Sequence, residues 1–571
     1  MTISPSEQGQ AALDEPGSML VLGGPGSGKT TLSLIKSKQV IAQLEEEQEV
    51  LFLSFSRAAV HQVLIRCKDV LTSSERKRIA VKTYHAFCLE LLRAYGRLLT
   101  GKQAQIMYPA ATSIQKRSVG SDWPDEEARL ADEDGVYCFD QFARAATRLL
   151  DRAEAVAVLL ASRYPVIILD EFQDTSDDQW ALVQALAARS RLLFLADPDQ
   201  RIFDYDDRVN PERLNQLRTE LDPPEYDLGG ENHRSPSGGI LGYARAVLRN
   251  EPLPATADVQ TVTYWPRQFA GAVHASVVWM FSQLRKAGVE NPSIAVLTRT
   301  NGLAAQVSDL LAEARTYNNQ SLRPIEHDLV WDANLTAAAA QVVASILEWP
   351  EHPPDAGVAA TMDRIADYFE LKNASKETQS AVDKMTRYRS SAARVRTGVT
   401  LKRPKDAAVI QQARETGLDF VGDAAKDWLR ARSVLDGPSD LREIFQNARA
   451  VRLFRATDEI GGRLREEWDR SGTYGNATQL VRRALEASMI SGEQREPRGC
   501  VVMTLHKSKG KEFDGAILVE GQYVAQFFSA KEESDESRHQ AARRLLFVGI
   551  TRARHKAAIL RPRGSRPLTM H

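Results

Sequence analysis

A chain of 571 residues is too long for one hydrophobic core, and its 43% of apolar residues can fill three or four. Its 74 lysines and arginines nearly cancel 75 aspartates and glutamates, so no global field draws in a polyanion and any such site must be local. Four cysteines without C-x-x-C spacing argue against a disulfide framework or a metal cluster; with no basic leader and no apolar run of about 18 residues, a cytoplasmic protein with no membrane contact is expected.

The first informative stretch is "SMLVLGGPGSGKTTLS", residues 18–33, an apolar strand over Met19–Leu22 running into a glycine-rich turn and a helix. Gly23, Gly24, Pro25, Gly26, Ser27, Gly28, Lys29 and Thr30 fit G-x-x-x-x-G-K-[ST], with Thr31 following. In that loop the glycines let backbone N–H groups close around phosphates at a helix N-terminus. Lys29 is then expected to bridge the β and γ phosphates and Thr30 to ligate magnesium.

A second apolar strand in "PVIILDEFQDTS", residues 165–176, delivers Asp170 and Glu171 at its C-terminal end, where an open α/β sheet places its ligands. Asp170 can hold the magnesium with Thr30, and Glu171 can orient and deprotonate the attacking water. Apolar strands at 19–22, 50–53, 166–169 and 192–195, then at 294–297, 501–503, 516–519 and 557–560, form two separate sets. They predict an α/β protein with two separate sheets.

"LDEFQDTS" resembles the Walker B region of superfamily 1 helicases of the UvrD, Rep and PcrA type. Further segments are similar in the same order: "LFLSFSRAAVHQV", "VKTYHAFCLELLRAYG", "LADPDQRIFDYDD", "ENHRSP", "VVMTLHKSKGKEFDGAILVEG" and "RRLLFVGITRARHKAAIL". The resemblance implies two RecA-like P-loop domains carrying a small 1B insertion and a mainly helical 2B insertion. On that pattern 1–95 and 137–250 form motor domain 1A, 251–345 and 496–571 form 2A, 96–136 is a reduced 1B, and 346–495 is 2B.

The resemblance also implies roles. Gln8 would read adenine, and His233 stands where the family has the tyrosine that stacks on it. Gln200, Arg234 and Arg552 would contact the γ-phosphate, with Arg552 as an arginine finger, and Glu512 would lie near the ribose. Phe55, Phe203 and Tyr205 would stack on bases, and His85, Thr504 and His506 would touch the DNA backbone. Departures stand at Tyr205-Asp206-Asp207, where the family has W-R-G, and at Ala541-Ala542, where it has acids; Arg208 is a candidate substitute for the missing arginine. The run "KMTRYRSSAARVRTGVTLKRPK", 384–405, holds eight basic residues and no acid, which makes it a candidate phosphate or duplex contact.

The implied activity is ATP- and Mg2+-dependent movement from 3′ to 5′ on single-stranded DNA, with unwinding at duplex junctions. The shortened 1B and the altered DNA positions keep a second expectation open: a DNA-sensing ATPase subunit working with a protein partner, such as a nuclease in a repair complex or in a Gabija-like anti-phage system.

Overall fold

The structure is a computed structural model describing residues 6–202, 208–235, 237–330, 333–375, 378–402, 405–437, 439–449, 459–490, 498–523, 525–528 and 536–570. It divides into two compact units, one made of Met1–Ala104, Asp140–Val330 and Gly492–His571, the other of Gln105–Phe139 and Trp331–Ser491.

The first unit is built on two sheets of six strands each, every strand parallel to its neighbours. In the first sheet β1 (Met19–Leu22), β2 (Val50–Ser54), β3 (Ile79–Thr83), β4 (Val166–Leu169), β5 (Arg191–Ala196) and β6 (Glu225–Asp227) lie in the order β3-β2-β4-β5-β1-β6. Runs such as "MLVL", "VLFLS" and "VIIL" carry no polar alternation because helices cover both faces of a parallel sheet. Met19, Val21, Phe52, Ile168 and Leu195 accordingly share a core with Leu34, Val63 and Cys67 of the covering helices.

Helices follow the strands where their caps dictate. α1 (Glu7–Asp14) precedes β1, and α2 (Lys29–Ile41) begins at Gly28. The hydroxyls of Ser56 and Thr83 accept backbone N–H groups to start α3 (Arg57–Val70) and α4 (Tyr84–Tyr95). α1 is tied to α2 by Lys36, whose buried ammonium donates to Leu13 O at 2.6 Å and Glu15 O at 2.5 Å.

The second sheet comprises β7 (Val259–Tyr264), β8 (Ser293–Thr298), β9 (His327–Leu329), β10 (Gly499–Thr504), β11 (Phe513–Val519) and β12 (Ala553–Pro562), ordered β9-β10-β8-β11-β12-β7. Alternate side chains feed two cores on its two faces: Leu297, Met503, Leu518 and Ile559 meet Phe547, while Val296, Val502, Ile517 and Leu560 meet Met280.

The second unit is mainly helical around Trp349, Met362, Phe369, Tyr388 and Trp428. Its longer segment starts at Trp331, where 346 was expected, and the helix Ala333–Leu347 sinks Val342, Val343 and Ile346 into that core. The smaller insertion lies at Gln105–Phe139, later than the expected 96–136. A short parallel ladder of Gln105–Met107 with Val136–Cys138 encloses Trp123, Leu130 and Cys138, whereas Leu99 stays with the first unit through Arg152, which donates to its carbonyl at 3.0 Å.

The basic run is not a free cationic face. Lys384 and Arg387 pair with Asp440, Arg389 with Asp363, Asp367 and Glu370, and Arg396 with Asp363, while Tyr388 is fully buried. Acids on neighbouring helices, invisible to a local reading of 384–405, answer four of its eight charges. The four cysteines are buried and form no disulfide, and no helix among the described residues is long and apolar enough to cross a membrane.

Candidate nucleotide site and strand contacts

The glycine-rich loop leaves the C-terminal end of β1, inside the first sheet. Gly26 and Gly28 take φ values of 79° and 92°, which side chains resist. A Cβ on Gly26 would lie 2.6 Å from Arg234 Cβ, and one on Gly23 would lie 2.4 Å from Ser27 Oγ, so the loop is tight as well as left-handed. Lys29 Nζ folds back onto the carbonyls of Gly23 at 2.5 Å and Gly24 at 3.2 Å. Ser27 Oγ is buried with no hydrogen-bond partner, a polar vacancy that suits a phosphate oxygen.

Asp170 and Glu171 emerge together from β4. Ser54 Oγ donates to Asp170 Oδ2 at 3.2 Å. Burial, then the neighbouring Glu171, pushes the Asp170 carboxyl up to about 6 against the pull of Lys29. A buried carboxylate so short of positive charge, near the lysine and hydroxyls of a phosphate loop, fits a divalent cation that would share Thr30 and Asp170. Among the described residues no cluster of three or more His, Cys, Asp or Glu could hold a metal alone, so such an ion would take its remaining ligands from phosphates and water.

Glu171 adopts a left-handed backbone, φ 52°. Burial works to raise its carboxyl, but Lys509, Lys29, Gln173 and Arg552 outweigh that and hold it below the ordinary glutamate value. Gln173 Nε2 donates to Glu171 Oε2 at 2.6 Å, and Gln173 Oε1 accepts from Asp197 N at 3.0 Å. Gln200 Nε2 donates to Asp197 Oδ2 at 2.5 Å, and Gln200 Oε1 accepts from Arg552 Nη2 at 2.6 Å. A hydrogen-bonded relay therefore runs from the general-base candidate of the first sheet to the arginine that precedes the last strand of the second.

Two further connections cross the same cleft. Lys509, buried, donates to Gln200 O at 2.6 Å and to Asp174, and lies 3.5 Å from Glu171. Burial lowers its ammonium, yet Asp174 and Glu171 raise it more. Glu512 accepts from Arg234 at 2.6 Å, Arg66 at 2.8 Å and Arg554 at 3.2 Å, and these guanidinium groups, against burial, hold its carboxyl far below the usual range. Arg234 also donates to Thr551 O at 3.1 Å.

The structure thus gathers Lys29, Asp170, Glu171, Gln200, Arg234, Glu512 and Arg552 around one cleft. Glu512, expected beside a ribose, is here the hub of three arginines. His233 joins them: its N–H donates to Gly26 O at 2.8 Å, its ring faces Gly28, and its Nε2 pairs with Glu231 at 2.9 Å. Gln8 is exposed on α1. The sequence reading passed over Lys509, Gln173, Asp197, Arg66 and Arg554; the signal present was that four of them lie within the quoted motif segments as unremarked polar residues.

Of the strand-contact candidates, Phe55 is half-buried after β2, and His85 is exposed at the start of α4 with its ring edge-on to Phe142 at 6.2 Å. Thr504 is buried at the end of β10, and His506 follows it half-buried. Phe203 and Tyr205 lie outside the described residues, as do Asp206 and Asp207. Arg208 pairs with Asp140 at 2.8 Å.

A phosphate loop on one parallel sheet, faced by Arg552 from a second, is the site of a P-loop motor protein. Residues 8–205 match the AAA domain family, and residues 499–560 match the UvrD-like helicase C-terminal domain. The ATP-dependent DNA helicase PcrA of Leuconostoc citreum is 22% identical over 96% of this chain and 81% of its own length. The ATP-dependent DNA helicase Rep of Escherichia coli (strain K12) is 23% identical over 97% and 90%. A crystal structure of Pif1 helicase from Candida albicans overlaps 48% of this chain and 54% of its own at 12% identity, with a TM-score of 0.25, too slight a likeness to argue from. The chain belongs to the UvrD-like superfamily 1 helicases.

Proposed function

We propose that this chain is an ATP-dependent DNA helicase that hydrolyses ATP between its two sheets and moves 3′ to 5′ along single-stranded DNA. The observation that carries the reading is the relay from Glu171 through Gln173, Asp197 and Gln200 to Arg552, which makes hydrolysis depend on how the second sheet sits against the first. Lys29 turns from the loop carbonyls to the β and γ phosphates, and Ser27 and the loop N–H groups close around them. Glu171 takes the proton of the attacking water, and Gln200 orients it. Arg552 and Arg234 face the charge that develops on the γ-phosphoryl group. Magnesium, held by Thr30 and Asp170, would neutralise part of the phosphate charge when bound.

Since Arg552 reaches the nucleotide from the second sheet, bound ATP favours a closed cleft and its products do not; a strand gripped by both sheets is shifted by the difference. Phe55 and His85 on the first sheet and Thr504 and His506 on the second are the grips proposed here. Single-stranded DNA should raise steady-state ATPase at least tenfold, and Lys29→Ala should abolish it. A strand blocked at its 5′ end should lose the block faster than one blocked at its 3′ end. A rate indifferent to DNA, or displacement of the 3′ block alone, would contradict this reading.

A further inference from the structure

The six strands of the second sheet are parallel, so their C-terminal ends form a single edge. Along the order β9-β10-β8-β11-β12-β7 that edge presents Thr504 and His506 after β10, Tyr523 beyond β11, Arg563 after β12 and Trp265 after β7. Trp265 is 55% exposed and Tyr523 80% exposed, although both side chains would gain by burial. The Arg563 guanidinium lies 4.7 Å from the centroid of the Trp265 ring.

The platform is braced. Arg563 N donates to Tyr264 O at 2.8 Å, and Tyr264 Oη donates to Glu520 O at 2.6 Å, tying the ends of β7, β12 and β11 together. Segments 262–268, 519–523 and 561–570 contain four arginines and a single acid, Glu520. That carboxylate is buried and taken by Arg561 at 2.6 Å and Phe527 N at 3.0 Å. The exposed charge at this corner, from Arg267 and Arg563, is therefore positive.

An isolated surface tryptophan means little. This one is stacked with an arginine, fixed by strand-end hydrogen bonds, and placed on the edge that carries Thr504 and His506. Four strand spacings separate β10 from β7, about 19 Å, the reach of roughly five or six nucleotides.

We propose that Trp265 and Arg563 are a further nucleic-acid contact, a base-stacking and phosphate-binding platform that extends the single-strand track from Thr504 and His506 to the outer edge of the second sheet. The inference rests on the DNA-translocating function proposed above. Stacking on an aromatic face is blind to sequence, as a moving contact requires, and the adjacent guanidinium can follow the backbone.

The test is the affinity of the full chain for fluorescein-labelled oligodeoxythymidines of increasing length, compared at a fixed salt concentration and then, for the long strand, across a salt series. Affinity should step upward once a strand is long enough to span the edge. Trp265→Ala should remove that step, roughly a tenfold loss on the long strand, and Trp265→Phe should restore most of it. Arg563→Ala should lower the salt dependence of long-strand binding by about one counterion. A strand carrying 5-iodouracil should cross-link to Trp265 on irradiation. Strands that bind with an unaltered step in Trp265→Ala would overturn the inference while leaving the helicase reading intact; absence of binding at every length would overturn both.

Discussion

Glu171 occupies a backbone region that costs a non-glycine residue about 1 kcal/mol or more, and the chain keeps it there at the end of an otherwise relaxed strand. The left-handed turn aims its carboxylate back across the cleft, where Gln173 and Lys509 meet it. Its depressed pKa leaves it ionised at neutral pH, ready to accept a proton. Glu171→Gln should preserve nucleotide binding and lower the single-turnover hydrolysis rate roughly 10²- to 10⁴-fold; a variant within a few-fold of the parent would remove Glu171 as the base. Lys509→Met should raise the apparent pKa of the acidic limb that Glu171 contributes to the rate–pH profile, since it deletes the strongest of the charges that hold that carboxyl down. An unshifted limb would show that Lys509 only ties the domains together. The glycine-rich loop and the Asp170–Glu171 pair were legible because their chemistry is packed into a few consecutive residues. Lys509, Asp197 and Gln173 were not, because they acquire their roles only when distant strands bring them together.

At the scale of elements, the eight strands read from apolar runs are the eight interior strands of the two sheets: β1, β2, β4 and β5 in one, β8, β10, β11 and β12 in the other. The four that escaped, β3, β6, β7 and β9, are the four edges. An edge strand has one side to fill with water-compatible residues, so "IAVKT", "EYD", "VQTVTY" and "HDL" lack the unbroken apolar signature. The Glu512 cluster shows what joins elements once they are formed. Its folded pKa lies below the ordinary glutamate value, so its stabilisation is complete above about pH 4.3 and is lost as pH falls through the depressed folded value. Glu512→Gln leaves three guanidinium groups short of their counter-charge and should cost about 3 kcal/mol at neutral pH. The melting-temperature gap between parent and variant should be constant above pH 5 and shrink below about pH 4. A gap independent of pH would mean that the carboxylate's charge is not what holds the cluster.

For the whole molecule, both insertions leave the first unit at loops and gather into the second, so the motor sheets can be described without them. The helical insertion was expected from its pattern over 346–495; the helix Ala333–Leu347, rich in alanine and valine, packs with it because such a helix could serve either core and its pattern alone does not choose. Within the first unit, the proposed function has hydrolysis switched on by a residue from the second sheet. Arg552→Lys keeps a positive charge but loses the planar fork that reaches Gln200 and that the proposed mechanism aims at the γ-phosphate. The decisive measurement is single-turnover ATP hydrolysis by Arg552→Lys with and without saturating single-stranded DNA, beside its affinities for Mg-ATP and for DNA. Both affinities should stay within a few-fold of the parent while nearly all the DNA-stimulated rate is lost, at least about 10³-fold. A variant that binds both ligands and is still stimulated normally by DNA would contradict the proposed function.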